Sequence, residues 1–252
     1  MNWTLHHVNV PAHDVRASAR FYADILGMAE APWVFPPNPR VVSRDADRLT
    51  LFPTATGALG PNPGLHIVKP DPGFAHAQGF VHNPTIGGHI AYQTRDLAPV
   101  IARIERAGLA YTAPGVAAIP GIHQVYLFDP SMNLVEMNAP LDPDSEAPTG
   151  PSTAPWRIHH VNVPAHDVRE SAAFYSEIFA MEEAAWTFPP DRGAVSADPA
   201  KLTLFPTDTT ARGANPGLHL IKPDARFSVD NGIDHNPSIG GHVAYQVPSL
   251  DH

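Results

Sequence analysis

Residues 5–15, which read LHHVNVPAHDV, decide how this chain of 252 residues is organised. Residues 158–168 read IHHVNVPAHDV, so almost the same segment returns at a constant offset of 153 residues, from His7 to His160 and from Asp14 to Asp167. A segment that recurs at a fixed offset indicates an internal duplication. Each copy carries the same pair of adjacent histidines and the same aspartate.

Each copy of this segment predicts a strand followed by a helix. Alternation puts His7 on one face of the strand and the neighbouring valines on the other, as in a half-buried strand. The same alternation predicts that His6 and His159 point away from the face of His7. Asp14 is a favoured N-cap, and Gly27 supplies the left-handed residue that ends the helix.

The rest of the first copy predicts two β-α-β-β-β modules. After the first helix, strands are predicted at residues 33–35, 48–52 and 64–68. In the second module a strand at 89–93 precedes a helix that begins at Asp96 and ends at Gly108, and strands follow near 110–111, 124–128 and 134–138. These patterns predict an α+β fold with mixed sheets and helices on the outside.

The duplication also predicts the domains. Residues 1–140 form the first domain, with modules at about 1–72 and 85–140. Residues 141–155, rich in Pro, Asp, Ser and Thr, are predicted to be a linker. Residues 156–252 form a second domain, with a complete third module and a fourth that stops just past its first strand.

Composition limits the class of protein. Hydrophobic residues at 43% suffice for packed cores, and a net charge of −9 argues against a nucleic-acid or anionic-membrane surface. The absence of cysteine excludes disulfides, iron–sulfur clusters and thiol catalysis. Without a signal-peptide pattern or an apolar run of roughly 18 residues, we expect a soluble cytoplasmic protein. Fifteen histidines are unusually many for a chain of this length.

Several short motifs occur in a fixed order. Those that fall within the shorter second copy recur there in similar form. The motifs are HVNV at residues 7–10 with Asp14, FYADILG at 21–27, GHIAY at 88–92, YLFDP at 126–130 and NLVE at 133–136. Together they resemble the vicinal oxygen chelate superfamily, which includes glyoxalases, extradiol dioxygenases and bleomycin resistance proteins. The resemblance implies that two modules curl their sheets into a cup around a metal ion.

The resemblance also implies which residues bind the metal, because ligands in this superfamily come from the first and last strands of each module. Carried over by position, they are His7, His66, His89 and Glu136. Strand alternation agrees, since each of them faces away from its apolar neighbours. Imidazole and carboxylate ligands suit Zn, Fe, Ni, Co or Mn, so we expect one divalent ion of this group.

The chain departs from the family pattern in two places. In the second copy His160, His219 and His242 are present, but the corresponding glutamate would fall near position 289, beyond the chain. Whether this second site is incomplete or non-functional stays open. In the turn at 129–133 Met132 replaces the usual glycine, so we expect Asn133 to take the positive-φ position.

Two further residues are candidates for the chemistry. His82 lies on the loop that enters a ligand strand, and the same HNP sequence recurs around His235. It is interpreted either as a group near the substrate or as ordinary turn chemistry. Tyr126 lies ten residues before Glu136, the spacing of a substrate-contacting tyrosine in extradiol dioxygenases. Its alternative is an aromatic side chain that fills the cup.

The leading hypothesis is a metal-dependent lyase or epimerase of the glyoxalase type. The metal would polarise a small substrate through two adjacent oxygens, and Glu136 or His82 would transfer the proton. We expect a small-molecule substrate, no nucleic acid or membrane partner, and a homodimer as one possible assembly.

The alternative enzyme is an Fe(II) extradiol ring-cleaving dioxygenase, in which His7, His89 and Glu136 bind the metal and Tyr126 contacts the substrate. The position of His66 separates the two: bound to the metal it favours the lyase, and detached it favours the dioxygenase. A third alternative is a non-catalytic small-molecule binding or resistance protein, which the complete ligand set of the first copy disfavours.

Overall fold

The computed structural model describes residues 3–25, 27–37, 43–115, 119, 121–130, 132–142, 156–188, 196–211, 213–232, 234–236 and 238–246. The strands are β1 (Thr4–Pro11), β2 (Leu49–Pro53), β3 (Gly64–Val68), β4 (His89–Gln93), β5 (Thr112–Gly115), β6 (Ile122–Phe128), β7 (Leu134–Pro140), β8 (Arg157–Pro164), β9 (Leu202–Pro206), β10 (Gly217–Ile221) and β11 (His242–Gln246). The helices are α1 (Val15–Asp24), α2 (Phe74–Gln78), α3 (Ala98–Arg106), α4 (Val168–Phe179) and α5 (Phe227–Asn231). Within these described ranges, no helix has both the length and the apolar character that crossing a membrane requires.

The first copy forms one seven-stranded mixed sheet in the order β2-β3-β1-β4-β7-β6-β5. Strand β1 runs parallel to β3 and antiparallel to β4, and β4 runs parallel to β7. The two predicted modules of this copy are therefore joined through β1 and β4. The first strands of both modules lie side by side at the centre of the sheet, which brings the predicted ligand strands together.

The second copy repeats this arrangement as far as its described strands go. Its four-stranded sheet has the order β11-β8-β10-β9, which corresponds to β4-β1-β3-β2 of the first copy. Helix α1 packs on β2 and β3, and α4 packs on β9 and β10. Two mixed sheets with a few helices confirm the predicted α+β fold class.

The two long helices begin at the predicted caps. The carboxylate of Asp14 accepts a hydrogen bond from the backbone N–H of Ala17, at 2.8 Å. In the second copy Asp167 accepts from the backbone N–H groups of Arg169 and Glu170, at 2.9 and 3.0 Å. Each cap satisfies N–H groups that the helix itself cannot pair.

Contacts between the copies occur in pairs, with the roles of the two copies exchanged. The hydroxyl of Thr54 donates to the carbonyl of Trp156, and the hydroxyl of Thr207 donates to the carbonyl of Trp3. Two pairs of tyrosine rings meet edge to face in the same reciprocal way, Tyr92 on Tyr175 and Tyr22 on Tyr245. The two copies are therefore related by an approximate twofold axis.

The predicted strand at residues 33–35 does not form. Within the described residues this segment makes one isolated antiparallel β-bridge, between Ala31 and Leu51. The reason is local, because the side chain of Asn62 bonds both the N–H and the carbonyl of Val34, each at 2.9 Å. Pro32 and Pro36 also lack the N–H groups that a ladder needs.

The turn between β6 and β7 also differs from its prediction. Met132, and not Asn133, has the positive φ, at 65°. The backbone N–H and the side-chain amide of Asn133 both donate to Asp129, at 2.8 to 3.1 Å. These bonds fix Asn133, so the left-handed residue has to be the one before it.

Parts of the predicted domain organisation lie outside the described residues. They are residues 143–155, which make up most of the predicted linker, and residues 247–252. The domain boundaries therefore stay a prediction. The described strands of the first copy run from Thr4 to Pro140 and those of the second from Arg157 to Gln246.

Candidate metal centre

The candidate ligands lie on four strands that are neighbours at the centre of the first sheet. In the order β3, β1, β4 and β7, these strands carry His66, His7, His89 and Glu136. His7 and Glu136 are both in register with Ala91 of the strand between them. The sheet topology therefore gathers residues that are far apart in the chain.

A glycine permits the close approach of two of these strands. Gly88, directly before His89, has a φ of 72°, and a Cβ atom there would lie 2.2 Å from the carbonyl oxygen of Asn9. No side chain fits at that distance. Gly88 is thus required for β4 to lie against β1 at the height of the site.

Three ligand atoms converge. The Nε2 atoms of His7 and His89 are 3.1 Å apart, and Oε2 of Glu136 lies 3.3 Å from His89 Nε2 and 3.7 Å from His7 Nε2. All three residues are buried. Ligands at about 2.1 Å from an ion and at right angles to each other lie about 3.0 Å apart, so one ion fits between these atoms.

The polar environment supports the same conclusion. Oε2 of Glu136 is buried without a hydrogen-bond partner, whereas Oε1 accepts a bond from Asn138 at 2.8 Å. Two imidazoles and one carboxylate on one side of an ion form the facial set that non-haem Fe(II) sites use. His7, His89 and Glu136 could therefore hold a divalent metal.

Burial and neighbouring groups set the charges of the ligands. Burial lowers the pKa of His7 well below its usual value, and three nearby histidine rings lower it further. Burial raises the pKa of Glu136, but its neighbours, above all His89, outweigh burial and bring this pKa down to about 2. At neutral pH His7 is neutral and Glu136 is ionised, which are the states that bind a metal.

His66 lies beside this group but is not part of it. Its Nε2 donates to the carbonyl oxygen of Asn62 at 2.7 Å, and its ring stacks on that of His7 with centroids 4.1 Å apart. The ring of Trp33 meets that of His66 edge to face, with centroids 4.5 Å apart. Burial lowers the pKa of His66 to about 3. To bind an ion through Nε2, His66 would have to release Asn62.

Tyr126 lies at the candidate metal centre, where it is directly opposite Glu136 in the pairing of β6 with β7. Its hydroxyl accepts a hydrogen bond from Gln124 at 2.9 Å and hydrogen-bonds with Glu136, which lowers the pKa of the carboxyl group. Its ring meets that of His89 edge to face. Tyr126 is therefore in reach of anything bound beside the three ligands.

The space in front of the ligands is a cavity of about 70 Å³. Besides the predicted ligands, its lining includes aromatic, apolar and amide side chains: Trp33, Phe74, Phe80, Pro84, Ile119, Gln124 and Tyr126. This volume is well below the roughly 300 Å³ at which ligand pockets usually begin. Entry of a substrate would require a wall of the cavity to move.

His82, the other candidate for proton transfer, lies elsewhere. It is buried, its ring contacts Phe128 with centroids 4.7 Å apart, and it does not line the cavity. Burial lowers the pKa of His82. The structure therefore brings Tyr126 to the candidate centre but not His82.

His6 has a place that strand alternation did not predict. In the pairing of β1 with β4, Leu5 matches Tyr92 and His7 matches Ala91, so His6 is the extra residue of a β-bulge. The bulge turns His6 inwards, and its Nδ1 lies 2.9 Å from Nδ1 of His7. The only feature of the sequence that pointed to a role for His6 beside His7 was the pair of adjacent histidines, which occurs in both copies.

The second copy repeats the histidine arrangement. His160 Nε2 lies 3.1 Å from His242 Nε2, His159 Nδ1 lies 2.9 Å from His160 Nδ1, and His219 Nε2 donates to the carbonyl of Asn215 at 2.7 Å. Within the described ranges no carboxylate joins these histidines to form a metal-ligand group. They line an open cavity of about 540 Å³ instead.

The chain belongs to the Glyoxalase/Bleomycin resistance protein/Dioxygenase superfamily, whose family model matches residues 4–137. This confirms the resemblance inferred from the motifs. No curated protein sequence matches the chain at the significance required.

Solved structures share the fold at low sequence identity. They include a Mn(II)-bound glyoxalase from Novosphingobium aromaticivorans, with a TM-score of 0.53 and 16% identity over 87% of this chain and 62% of that one. An extradiol ring-cleaving dioxygenase from B. fuscum has a TM-score of 0.54 and 11% identity over 88% of this chain and 54% of that one. The 2,3-dioxygenase LapB from Pseudomonas sp. KL28 has a TM-score of 0.56 and 14% identity over 98% of this chain and 94% of that one.

At these identities the likeness is one of fold. This chain spans 62% of the length of the glyoxalase and 54% of that of the B. fuscum dioxygenase. The two activities share one architecture, so the geometry of the centre has to decide between them.

Proposed function

We propose that the first copy is a metal-dependent dioxygenase that cleaves the ring of a catechol-type substrate beside its two hydroxyl groups. The observation that carries the proposal is the convergence of three ligand atoms, from His7, His89 and Glu136, while His66 donates to the Asn62 carbonyl instead of joining them. Three protein ligands leave one face of an ion open for three further donor atoms.

A bound Fe(II) or Mn(II) ion would supply adjacent positions for both substrate oxygens and for O₂. His7, His89 and Glu136 would hold the ion. In the reaction the carbon–carbon bond next to the diol breaks and both atoms of O₂ enter the product, so no further reductant is needed.

The other residues around the cavity have positions that suit this chemistry. The Tyr126 hydroxyl, next to Glu136, would donate a hydrogen bond to a substrate oxygen. The ring of His66, stacked on His7, would lie beside the substrate and serve as an acid–base group once a metal and a substrate occupy the cavity. Both side chains line the cavity.

Access would depend on the segment around α2. Phe74 at the start of α2 and Phe80 just after it contact each other and line the cavity. No residue of α2 is buried, so the helix has little apolar packing to lose when it moves. Displacement of this segment would enlarge the cavity enough to admit an aromatic ring.

Anaerobic loading with Fe(II) or Mn(II), followed by oxygen uptake and product absorbance with a panel of catechols, tests the proposal. We expect uptake of one O₂ per substrate, and loss of this uptake in His7→Ala. The matched variant His160→Ala in the second copy should retain it. A metal-loaded protein that consumes no oxygen with any catechol would contradict the proposal.

A glyoxalase-type lyase or epimerase is the second candidate. The observation in its favour is the position of the His66 ring, stacked 4.1 Å from that of His7 and thus close enough to become a fourth ligand if Asn62 releases it. Glu136 would then move the substrate proton. X-ray absorption on the loaded protein separates the candidates, since three histidine ligands favour the lyase and two favour the dioxygenase.

A further inference from the structure

We infer that His6, Gln93 and Asn138 are positioning residues that aim one lone pair of His7 and one of Glu136 at the same point. This rests on the metal centre proposed above. All three residues are buried, and none of them lines the cavity. They act from behind the ligands.

The first half of the argument concerns the proton on His7. Its Nε2 is the atom that faces His89 and Glu136, so Nε2 has to be free of a proton to bind an ion. The proton of the neutral ring then sits on Nδ1, which needs an acceptor. The partner present is Nδ1 of His6, at 2.9 Å. His6 therefore has to accept at Nδ1 and carry its own proton on Nε2.

The second half concerns Glu136. The side-chain Nδ2 of Asn138 donates to Glu136 Oε1 at 2.8 Å, and its Oδ1 accepts from Gln93 Nε2 at 3.1 Å. The Gln93 amide is fixed in turn, because its Oε1 accepts from the N–H of Leu59 at 2.6 Å and its Nε2 donates to the Leu59 carbonyl at 2.9 Å. Each amide has one allowed orientation. Oε1 is thereby occupied and Oε2 is left for the ion.

Leu59 connects the two halves. Its backbone, held by Gln93, also lies near the His6 ring and raises the pKa of that ring, while Nε2 of His6 is buried without a hydrogen-bond partner. Two sets of hydrogen-bonded groups therefore meet behind the cavity near Leu59, one from His7 to His6 and one from Leu59 through Gln93 and Asn138 to Glu136. Outer-shell partners of metal ligands usually contribute a factor of 10–100 in metal affinity.

The second copy offers a matched control. His159 occupies the bulge of β8 and contacts His160 through Nδ1 atoms at 2.9 Å, as His6 contacts His7. Within the described ranges no carboxylate completes that copy into a metal-ligand group. Loss of His159 should therefore leave the affinity for the metal unchanged.

The first test compares His6→Leu with His159→Leu. Long-range ¹H–¹⁵N spectra of the metal-free proteins report which nitrogen of His7 carries the proton. We expect one tautomer, protonated at Nδ1, in the wild type and in His159→Leu, and a mixture in His6→Leu. The affinity for Mn(II), from competition with a chelator, should fall 10–100-fold in His6→Leu alone. His6→Asn, whose side-chain oxygen can accept in place of Nδ1, should recover most of it.

Asn138→Leu is the second variant, and it is also decisive if His6→Leu does not fold. It should lower the Mn(II) affinity by a similar factor and leave the tautomer of His7 unchanged. Protonation of wild-type His7 at Nε2, or Mn(II) affinities within twofold of the wild type in both variants, would overturn the inference. A loaded wild type without oxygen uptake would contradict the proposed function alone, because the tautomer is measured without metal or substrate.

Discussion

The two copies place their histidines in the same way but build different sites. In each copy the paired Nε2 atoms are 3.1 Å apart and the paired Nδ1 atoms are 2.9 Å apart. In the first copy Glu136 joins them and a cavity of about 70 Å³ remains, whereas the second copy has an open cavity of about 540 Å³. The histidine geometry thus needs the strands of one module and the first strand of the next, whereas the acid comes from β7, which the described part of the second copy does not match.

The first helices of the two copies, α1 and α4, also differ, because α4 is covered by another helix and α1 is exposed. In α4, Phe174 and Ile178 are 8% and 6% exposed, because α3 of the first copy packs on this helix and Arg103 donates to the carbonyl of Ile178 at 2.6 Å. In α1 the corresponding Phe21 and Ile25 are 52% and 66% exposed. The approximate twofold axis therefore relates a covered helix to one that no described helix covers.

The largest effect is expected at Glu136, the residue that distinguishes the first site from the second. Glu136→Gln keeps the size of the side chain but removes the charge that balances a divalent ion. We expect the affinity for Mn(II) to fall by more than the roughly 100-fold loss typical of an outer-shell partner, and any metal-dependent activity to fall with it. Retention of stoichiometric Mn(II) at the wild-type affinity would contradict the assignment of Glu136 as a ligand.

A second prediction concerns the helices. Phe174→Ala removes a side chain packed between α4 and its neighbours, and should lower the free energy of unfolding by about 3 kcal/mol. Phe21→Ala, the matched change on the exposed helix, should cost about 1 kcal/mol or less. Urea unfolding of both variants measures the difference. Equal losses would mean that Phe21 is covered in solution.

Much of the centre could be predicted from the sequence. Alternation within short strands placed His7, His89 and Glu136 on inward faces, and family position named them as a set. Alternation failed at His6, because a bulge depends on how β1 pairs with β4, which one strand's sequence does not reveal.

Longer-range packing determines two further features of the centre that the sequence did not predict, the hydrogen bond of His66 and the size of the cavity. His66 was predicted on the correct face, but its hydrogen bond to Asn62 depends on the path of the loop between β2 and β3. The size of the cavity depends on how Phe74 and Phe80 fold over it. Neither property is local, so neither appears in a pattern of residue types.

The third prediction concerns acid stability. The unfolded chain protonates its histidines near pH 6.5, whereas burial lowers the folded-state pKa of His66 to about 3 and that of His219 to about 4. Below pH 6.5 the unfolded state holds more protons, so stability is lost as the pH falls, by up to about 1.4 kcal/mol per pH unit for each histidine. His66→Gln and His219→Gln should therefore each reduce this loss.

Urea unfolding of the metal-free proteins between pH 7 and pH 3 measures these slopes. Both variants should lose less stability than the wild type between pH 6.5 and about pH 4, since each lacks one histidine that takes up a proton on unfolding. The same pH dependence in both variants and the wild type would show that these histidines are not buried as neutral rings.

The smallest effect is expected where the copies share a left-handed backbone conformation but differ in the residue that adopts it. Gly27 after α1 and Ala180 after α4 correspond, and both have a positive φ, at 63° and 55°. A Cβ atom at Gly27 would meet nothing within 4 Å, so a substitution there changes backbone conformation alone. The left-handed region costs a residue with a Cβ atom about 1 kcal/mol, and the greater freedom of glycine in the unfolded chain offsets part of this. Ala180→Gly should therefore stabilise the protein by about 0.5 kcal/mol and Gly27→Ala should destabilise it by a similar amount. Urea midpoints that move in the same direction for both variants would contradict the equivalence of the two helix ends.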